Sequence, residues 1–331
     1  DDGEAEVTLT PGTQAGDAHV SAQTGNVEGR LTVPILAGPA ATLALSAQPA
    51  ELTAGYNQIA RLTATAADQY GNPVADGTSI QYTTTLGQLA VASVATSGGK
   101  AEVNLIGGLI AGQAQVTATA PGGAQGQATV TIRPAAPAAV ELTAAPAAVA
   151  VGGEVSRLQA TVRDAYANLV ADGTVVTFAV NLGGLRPLTG NGGAPVGVLS
   201  VPTVQGVAQA ELVSGSMAGS ATVRAAVAPE VHDTFRVAFR PGAPASLTLS
   251  VDPPQVRGGG RVELSAWVTD QFGNPVQDGT QVSFAASSGH LSQALVLTSD
   301  GAALTWLTAP LQPGPVQVVA VSGAASDFET L

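Results

Sequence analysis

Three observations predict an all-β chain built of tandem sandwich domains in an extended rod. First, one eleven-residue segment occurs three times: Asp68-Gln-Tyr-Gly-Asn-Pro-Val-Ala-Asp-Gly-Thr78, Asp164-Ala-Tyr-Ala-Asn-Leu-Val-Ala-Asp-Gly-Thr174 and Asp270-Gln-Phe-Gly-Asn-Pro-Val-Gln-Asp-Gly-Thr280. The copies start 96 and 106 residues apart, which is the size of one β-sandwich domain. Second, apolar residues around each copy recur with period two, and no stretch carries a convincing 3.6-residue period. Third, Gly and Pro supply 61 of the 331 residues, enough to punctuate many short strands.

Each repeat is read in order. Before the segment come Leu62, Ala64 and Ala66; Leu158, Ala160 and Val162; and Leu264, Ala266 and Val268. After it come Ile80 and Tyr82, Val176 and Phe178, and Val282 and Phe284. A Gly then opens a further strand: Gly99 before Ala101, Val103 and Leu105; Gly206 before Ala208, Ala210 and Leu212; Gly301 before Ala303, Thr305 and Leu307. In the first repeat Val116 with Ala118, and Val130 with Ile132, close the pattern. Such alternation marks strands buried on one face, and about seven of them per repeat is the immunoglobulin-like count. The joins Ala37-Gly-Pro39, Arg133-Pro-Ala-Ala-Pro137 and Arg240-Pro-Gly-Ala-Pro244 are short and Pro-bearing, as semi-rigid spacers are. The expected domains are residues 37–134, 135–241 and 242–331. Gly3-Glu-Ala-Glu-Val-Thr-Leu9 aligns with Gly99-Lys-Ala-Glu-Val-Asn-Leu105, so residues 1–36 are expected to be the last three strands of a further domain, completed within a longer protein or by a strand of another chain.

The pattern Asp-x-(Tyr/Phe)-Gly-Asn-Pro-Val-x-Asp-Gly-Thr, followed by a strand with an aromatic and then a Gly-led strand, resembles the bacterial group-1 immunoglobulin-like domain of invasin- and intimin-type surface proteins. The resemblance covers nearly the whole chain. The middle copy departs from it, with Ala167 in place of Gly and Leu169 in place of Pro, a change to the turn rather than to the fold. The family implies a secreted or outer-surface bacterial protein whose domains form a stalk or adhesive arm.

Composition removes several classes of function. Twelve basic residues stand against 24 acidic ones, for a net charge of −12, and Lys100 is the single lysine. Gripping phosphates takes clustered Lys and Arg, so nucleic acid is not a partner. No apolar run reaches the length of a membrane-spanning helix. With no cysteine, disulfides, thiol catalysis and thiolate metal sites are excluded. His19, His232 and His290 fall in different units without metal-ligand spacing, and His232 and Asp233, adjacent on a strand, point to opposite faces. Gly258-Gly-Gly260 precedes no helix and is a turn, not a phosphate loop. The chain is therefore read as no enzyme.

Candidate sites remain in three places. Asp68, Asn72 and Asp76, with Asp164, Asn168 and Asp172 and with Asp270, Asn274 and Asp278, are turn-formers whose side chains cap loop backbone. Calcium at the domain junctions is the alternative, but two carboxylates per segment fall short of the six to eight oxygens it takes. Trp267, Leu304 and Trp306 form the second candidate. They alternate with the core-facing residues of two neighbouring strands and replace Thr65, Glu102 and Asn104, or Thr161, Gln209 and Glu211, so they are expected to make one exposed apolar patch. Third, Leu185 to Gly206 is 21 residues where Leu89 to Gly99 and Leu291 to Gly301 are 10, and this insertion offers Arg186 and Asn191 as loop contacts.

These features point to a non-catalytic extracellular protein of the bacterial surface, an adhesin stalk of immunoglobulin-like repeats. Its partner would be a protein, or a second copy, meeting it through β-faces. The alternatives are a self-assembling subunit of a surface layer or filament and, more remotely, spacer domains of a secreted polysaccharide-active enzyme.

Overall fold

The structure, a computed structural model, describes residues 3–188 and 193–331. Its chain divides into two compact units, residues 1–136 with 163–170, and residues 137–162 with 171–331.

In the first unit, Gly16–Thr24 and Val27–Ile35 pair as an antiparallel two-stranded ribbon. Residues 3–9, expected as a third strand, are not a strand. The reason is pairing. Their counterpart Lys100–Gly108 lies between Gly55–Ala67 and Gln88–Leu89 in its sheet, and residues 3–9 have no such neighbours among the described residues, leaving Val7 and Leu9 exposed.

The sandwich that follows has one sheet in the order Thr42–Gln48, Gly55–Ala67, Lys100–Gly108, Gln88–Leu89. The other runs Glu51–Thr53, Gln125–Arg133, Gly112–Thr119, Ser79–Thr84, Ser93–Ala95. The opening segment serves both sheets: Thr42–Gln48 pairs antiparallel with Gly55–Ala67, and Glu51–Thr53 pairs parallel with Gln125–Arg133. This is the immunoglobulin arrangement. Inward residues of both sheets, among them Leu62, Ile80, Leu105, Val116 and Ile132, are sealed in one core. Tyr82 takes its ring into that core because its hydroxyl donates to the Ala101 carbonyl at 2.8 Å, and burial pushes its pKa up to about 12.

Two further sandwiches occupy the second unit. One pairs Pro137–Ala145, Val155–Asp164, Val207–Val213 and Gly184–Pro187 in that order, against Ala148–Ala150, Val231–Arg240, Gly219–Ala228, Val175–Val180 and Val198–Pro202. The other sets Ser246–Asp252, Arg261–Thr269, Ala302–Thr308 and His290–Leu291 against a sheet of Leu295–Leu297, Gln281–Ala286, Gln317–Ser322 and Ala325–Thr330. Gly258-Gly-Gly260 lies in the turn between the first two of these strands.

The insertion of the middle repeat is partly absorbed into the sheet. Arg186, expected in a loop, lies in the strand Gly184–Pro187 opposite Glu211, and its Nε donates to Glu211 Oε2 at 2.6 Å. That half-buried ion pair uses the guanidinium within its own sheet, so Arg186 is not a free loop contact. The backbone of Leu185 exchanges bonds of 2.7 and 2.9 Å with Val196, closing the excursion. Asn191 lies outside the described residues.

Candidate contact sites

The recurring segment folds into the same loop three times. Asp68 donates its N–H to the Asn72 carbonyl at 2.9 Å, and Gly71 donates back to the Asp68 carbonyl at 3.1 Å. The Asp68 carboxylate fills the loop: Oδ1 accepts from the Tyr70 and Asn72 amides, both at 2.9 Å, and Oδ2 accepts from Gly38 N and Asn72 Nδ2, also both at 2.9 Å. Asp164 receives the corresponding bonds from Tyr166, Asn168 and Ala135, and Asp270 from Phe272, Asn274 and Gly242. Donors of this kind stabilise the anion. The bond from the Asn72 side chain leads in pulling the Asp68 pKa down to about 2. At Asp164 and Asp270 burial pushes upward but is outweighed by the bonds from Asn168 and Asn274 and from the loop amides, so both stay below the usual carboxylate range.

At the other end of the segment, Asp76, Asp172 and Asp278 each accept through Oδ1 from an amide preceding the Gly-led strand, at 2.6, 2.6 and 2.7 Å. The Gly that opens that strand is sterically required: a Cβ on Gly99 would fall 2.7 Å from Pro73 Cβ, and one on Gly301 would fall 2.8 Å from Pro275 Cβ. The departing middle copy keeps the loop geometry, because Ala167 adopts φ 67° where Gly71 and Gly273 have 85° and 84°. Left-handed backbone costs an L-residue roughly 1–2 kcal/mol.

What the sequence reading missed is where the asparagine side chains go. Asn72 Nδ2 donates to the Thr13 carbonyl at 2.8 Å, and Asn72 Oδ1 accepts from Ala15 N at 3.0 Å, joining the loop to the segment before the ribbon. Asn168 makes the same two bonds to Leu109 O and Ala111 N, at 2.8 and 2.9 Å. Asn274 makes them to Ser216 O and Ala218 N, at 2.8 and 2.9 Å. Each asparagine thus holds a loop lying 56–59 residues earlier in the chain. The aromatic of the segment joins the contact. A Cβ on Gly55 would meet Tyr166 Oη at 3.7 Å, and one on Gly152 would meet the Phe272 ring at 3.2 Å. The available signal was internal: the middle copy loses Gly and Pro but keeps Asn168.

The aromatic face is built by pairing of Arg261–Thr269 with Ala302–Thr308, in which Trp267 stands opposite Ala302, Ser265 opposite Leu304 and Glu263 opposite Trp306. Trp267, Leu304 and Trp306 are 46%, 54% and 42% exposed, whereas Leu264, Ala266, Ala303 and Leu307 between them are sealed. Leu304 lies diagonally between the two indoles, and the Arg261 guanidinium stacks 5.2 Å from the Trp306 ring centroid. The histidines are not brought together: His19 bonds Thr32, and Asp233 beside His232 accepts from Leu142 N at 2.9 Å across the sandwich. Among the described residues no group of three potential metal ligands occurs, and no helix is long and apolar enough to cross a membrane.

No family model matches the chain. The inverse autotransporter adhesin YeeJ of Escherichia coli K12 is 34% identical over 283 residues, which is 81% of this chain. The chain spans only 12% of the length of that relative. Among solved structures, the Escherichia coli adhesin FdeC superposes with a TM-score of 0.56 at 18% identity, covering 90% of this chain and 99% of that one. Invasin, a bacterial integrin-binding protein, superposes with a TM-score of 0.53 at 18% identity, covering 88% and 59%. With the strand order above, these likenesses define a tandem array of immunoglobulin-like sandwiches. Its repeats are similar to those of the bacterial adhesins YeeJ, FdeC and invasin.

Proposed function

We propose that this chain is a stretch of adhesin stalk on the bacterial surface, a non-catalytic spacer that holds a binding region away from the cell. The observation that carries the reading is the asparagine clamp, made with the same two bonds at Asn72, Asn168 and Asn274. Repeating one junction device serves a spacer, whereas a catalytic domain concentrates its chemistry in one place. No cofactor belongs to this reading. Both carboxylate oxygens of Asp68, Asp164 and Asp270 are taken by N–H donors, which competes with calcium for the same lone pairs.

The aromatic face favours a second reading, lateral contact with another copy of the chain. That face carries its own complement, with Arg261 at one end and Asp252 and Glu263 paired one row further along. A copy laid antiparallel about an axis between the Arg261 and Glu263 rows sets these opposite charges face to face beside Trp306. Sedimentation velocity of the full chain over a wide concentration range tests both readings. A monomer at every concentration supports the stalk alone. Assembly that disappears in Trp267→Thr/Trp306→Thr establishes lateral contact, and assembly that survives the pair removes the aromatic face from it.

A further inference from the structure

Docking between successive repeats uses a donor and an acceptor, and only the first half of that code is present in every repeat. The donor is the loop carrying the Asn and the aromatic. The acceptor has two parts. One is a loop of form x-x-Ala-Gly that offers a carbonyl and, two residues later, an N–H: Thr13 and Ala15, Leu109 and Ala111, Ser216 and Ala218, each followed by Gly16, Gly112 or Gly219. The other is a glycine seat, Gly55 or Gly152, on which Tyr166 or Phe272 rests.

The third sandwich departs from both parts of the acceptor. Its corresponding loop reads Leu311-Gln-Pro313-Gly314, aligned through the buried residues Leu105, Leu212 and Leu307 at the same place in the preceding strand. Proline has no N–H, so Pro313 cannot give an asparagine the bond that Ala111 and Ala218 give. In the third sandwich the exposed Leu311 lies against the corresponding glycines. A Cβ on Gly258 would fall 2.7 Å from the Leu311 carbonyl oxygen, and one on Gly259 would fall 3.3 Å from Leu311 Cδ2. Leu311 therefore lies where the aromatic of an incoming loop would rest.

We infer that the end of the third sandwich formed by residues 309–316 excludes the Asp-x-(Tyr/Phe)-x-Asn loop that the acceptors at Leu109 and Ala111 and at Ser216 and Ala218 receive, whether that loop comes from the same chain or from another. Pro313 thus denies this surface the bond that Ala111 and Ala218 give to an asparagine. The inference goes beyond the stalk reading, since it concerns which surfaces accept the repeat's own loop.

The absence of cysteine makes spin labelling direct. In the full chain, labels at Thr234→Cys and Ser283→Cys report the junction clamped by Asn274, and the expected distance distribution is a single narrow peak. Ala218→Pro, which copies Pro313 into the second sandwich, is expected to lose that peak, as is Asn274→Ala, while Ala218→Gly keeps the N–H and keeps the peak. The decisive arm appends a second copy of residues 242–331 to the full chain, with labels at Ser283→Cys and its duplicate. A broad distribution that narrows with Leu311→Ser/Pro313→Ala upholds the inference. A narrow peak with Leu311 and Pro313 in place overturns it, and so does an Ala218→Pro chain, folded by circular dichroism, that keeps its peak.

Discussion

The outer faces of the first and third sandwiches are built on the same pair of strands and have opposite chemistry. In the first, Arg61, Thr63 and Thr65 lie across from Asn104, Glu102 and Lys100, and Arg61 forms an ion pair with Glu102. In the third, the same positions hold Glu263, Ser265 and Trp267 across from Trp306, Leu304 and Ala302. One residue over, on the inward side, the two sandwiches match: Leu62 and Leu264, Ala64 and Ala266, Leu105 and Leu307 are all sealed. Packing constrains every second residue of a strand and leaves the alternate ones to the demands of solvent or partner. The fold is thus carried by half the residues, and the individuality of each repeat by the other half.

The largest effects test the matching half. Leu62→Ala and Leu264→Ala are each expected to cost about 3 kcal/mol, as fully buried leucines do. Urea titration with the two sandwiches monitored separately by hydrogen exchange should give similar losses, and a large inequality would break the comparison. Next comes the loop carboxylate. Asp270→Ala is expected to cost about 2 kcal/mol because it strips acceptors from the buried loop amides and the Asn274 side chain. Acid has a related effect. The folded pKa of Asp68 lies below that of the unfolded chain, so its stabilisation is complete above about pH 4 and is lost as pH falls through about 2. A titration followed by tyrosine fluorescence should show that loss in the first sandwich, and Asp68→Asn should remove it.

Smaller shifts sharpen the differences between repeats. Ala167→Gly relieves an alanine held at positive φ and should stabilise the middle sandwich by about 1 kcal/mol, whereas Gly71→Ala should destabilise the first by a similar amount. A thermal melt that moved in the opposite direction would show that the loop relaxes around the substitution. The smallest change in folding is expected at the aromatic face, where Trp267→Thr/Trp306→Thr should alter stability by less than about 0.5 kcal/mol because both side chains are exposed. A larger loss in the urea midpoint would mean that the indoles support their own sheet.

The sandwich class, the strand positions and the core were legible in the sequence because each rests on local rules. Alternation of apolar residues places Leu158, Ala160 and Val162 inward wherever the strand lies, and Asp-Gly at 76–77, 172–173 and 278–279 turns the chain for reasons contained in those two residues. The register that sets Trp267, Leu304 and Trp306 on one face also follows from strand order within a known sandwich. Other features depended on chain far away in sequence. Residues 3–9 carry a strand pattern but have no neighbours to pair with among the described residues, and Arg186 left its expected loop because Glu211 stands opposite it. Asn72, Asn168 and Asn274 show an amide side chain to any reader of the sequence, yet only the folded chain shows which carbonyl and which N–H it holds. An apolar residue needs only to be removed from water, which a local pattern can arrange. A hydrogen bond needs a named partner at about 2.9 Å, and tertiary structure alone brings that partner into place.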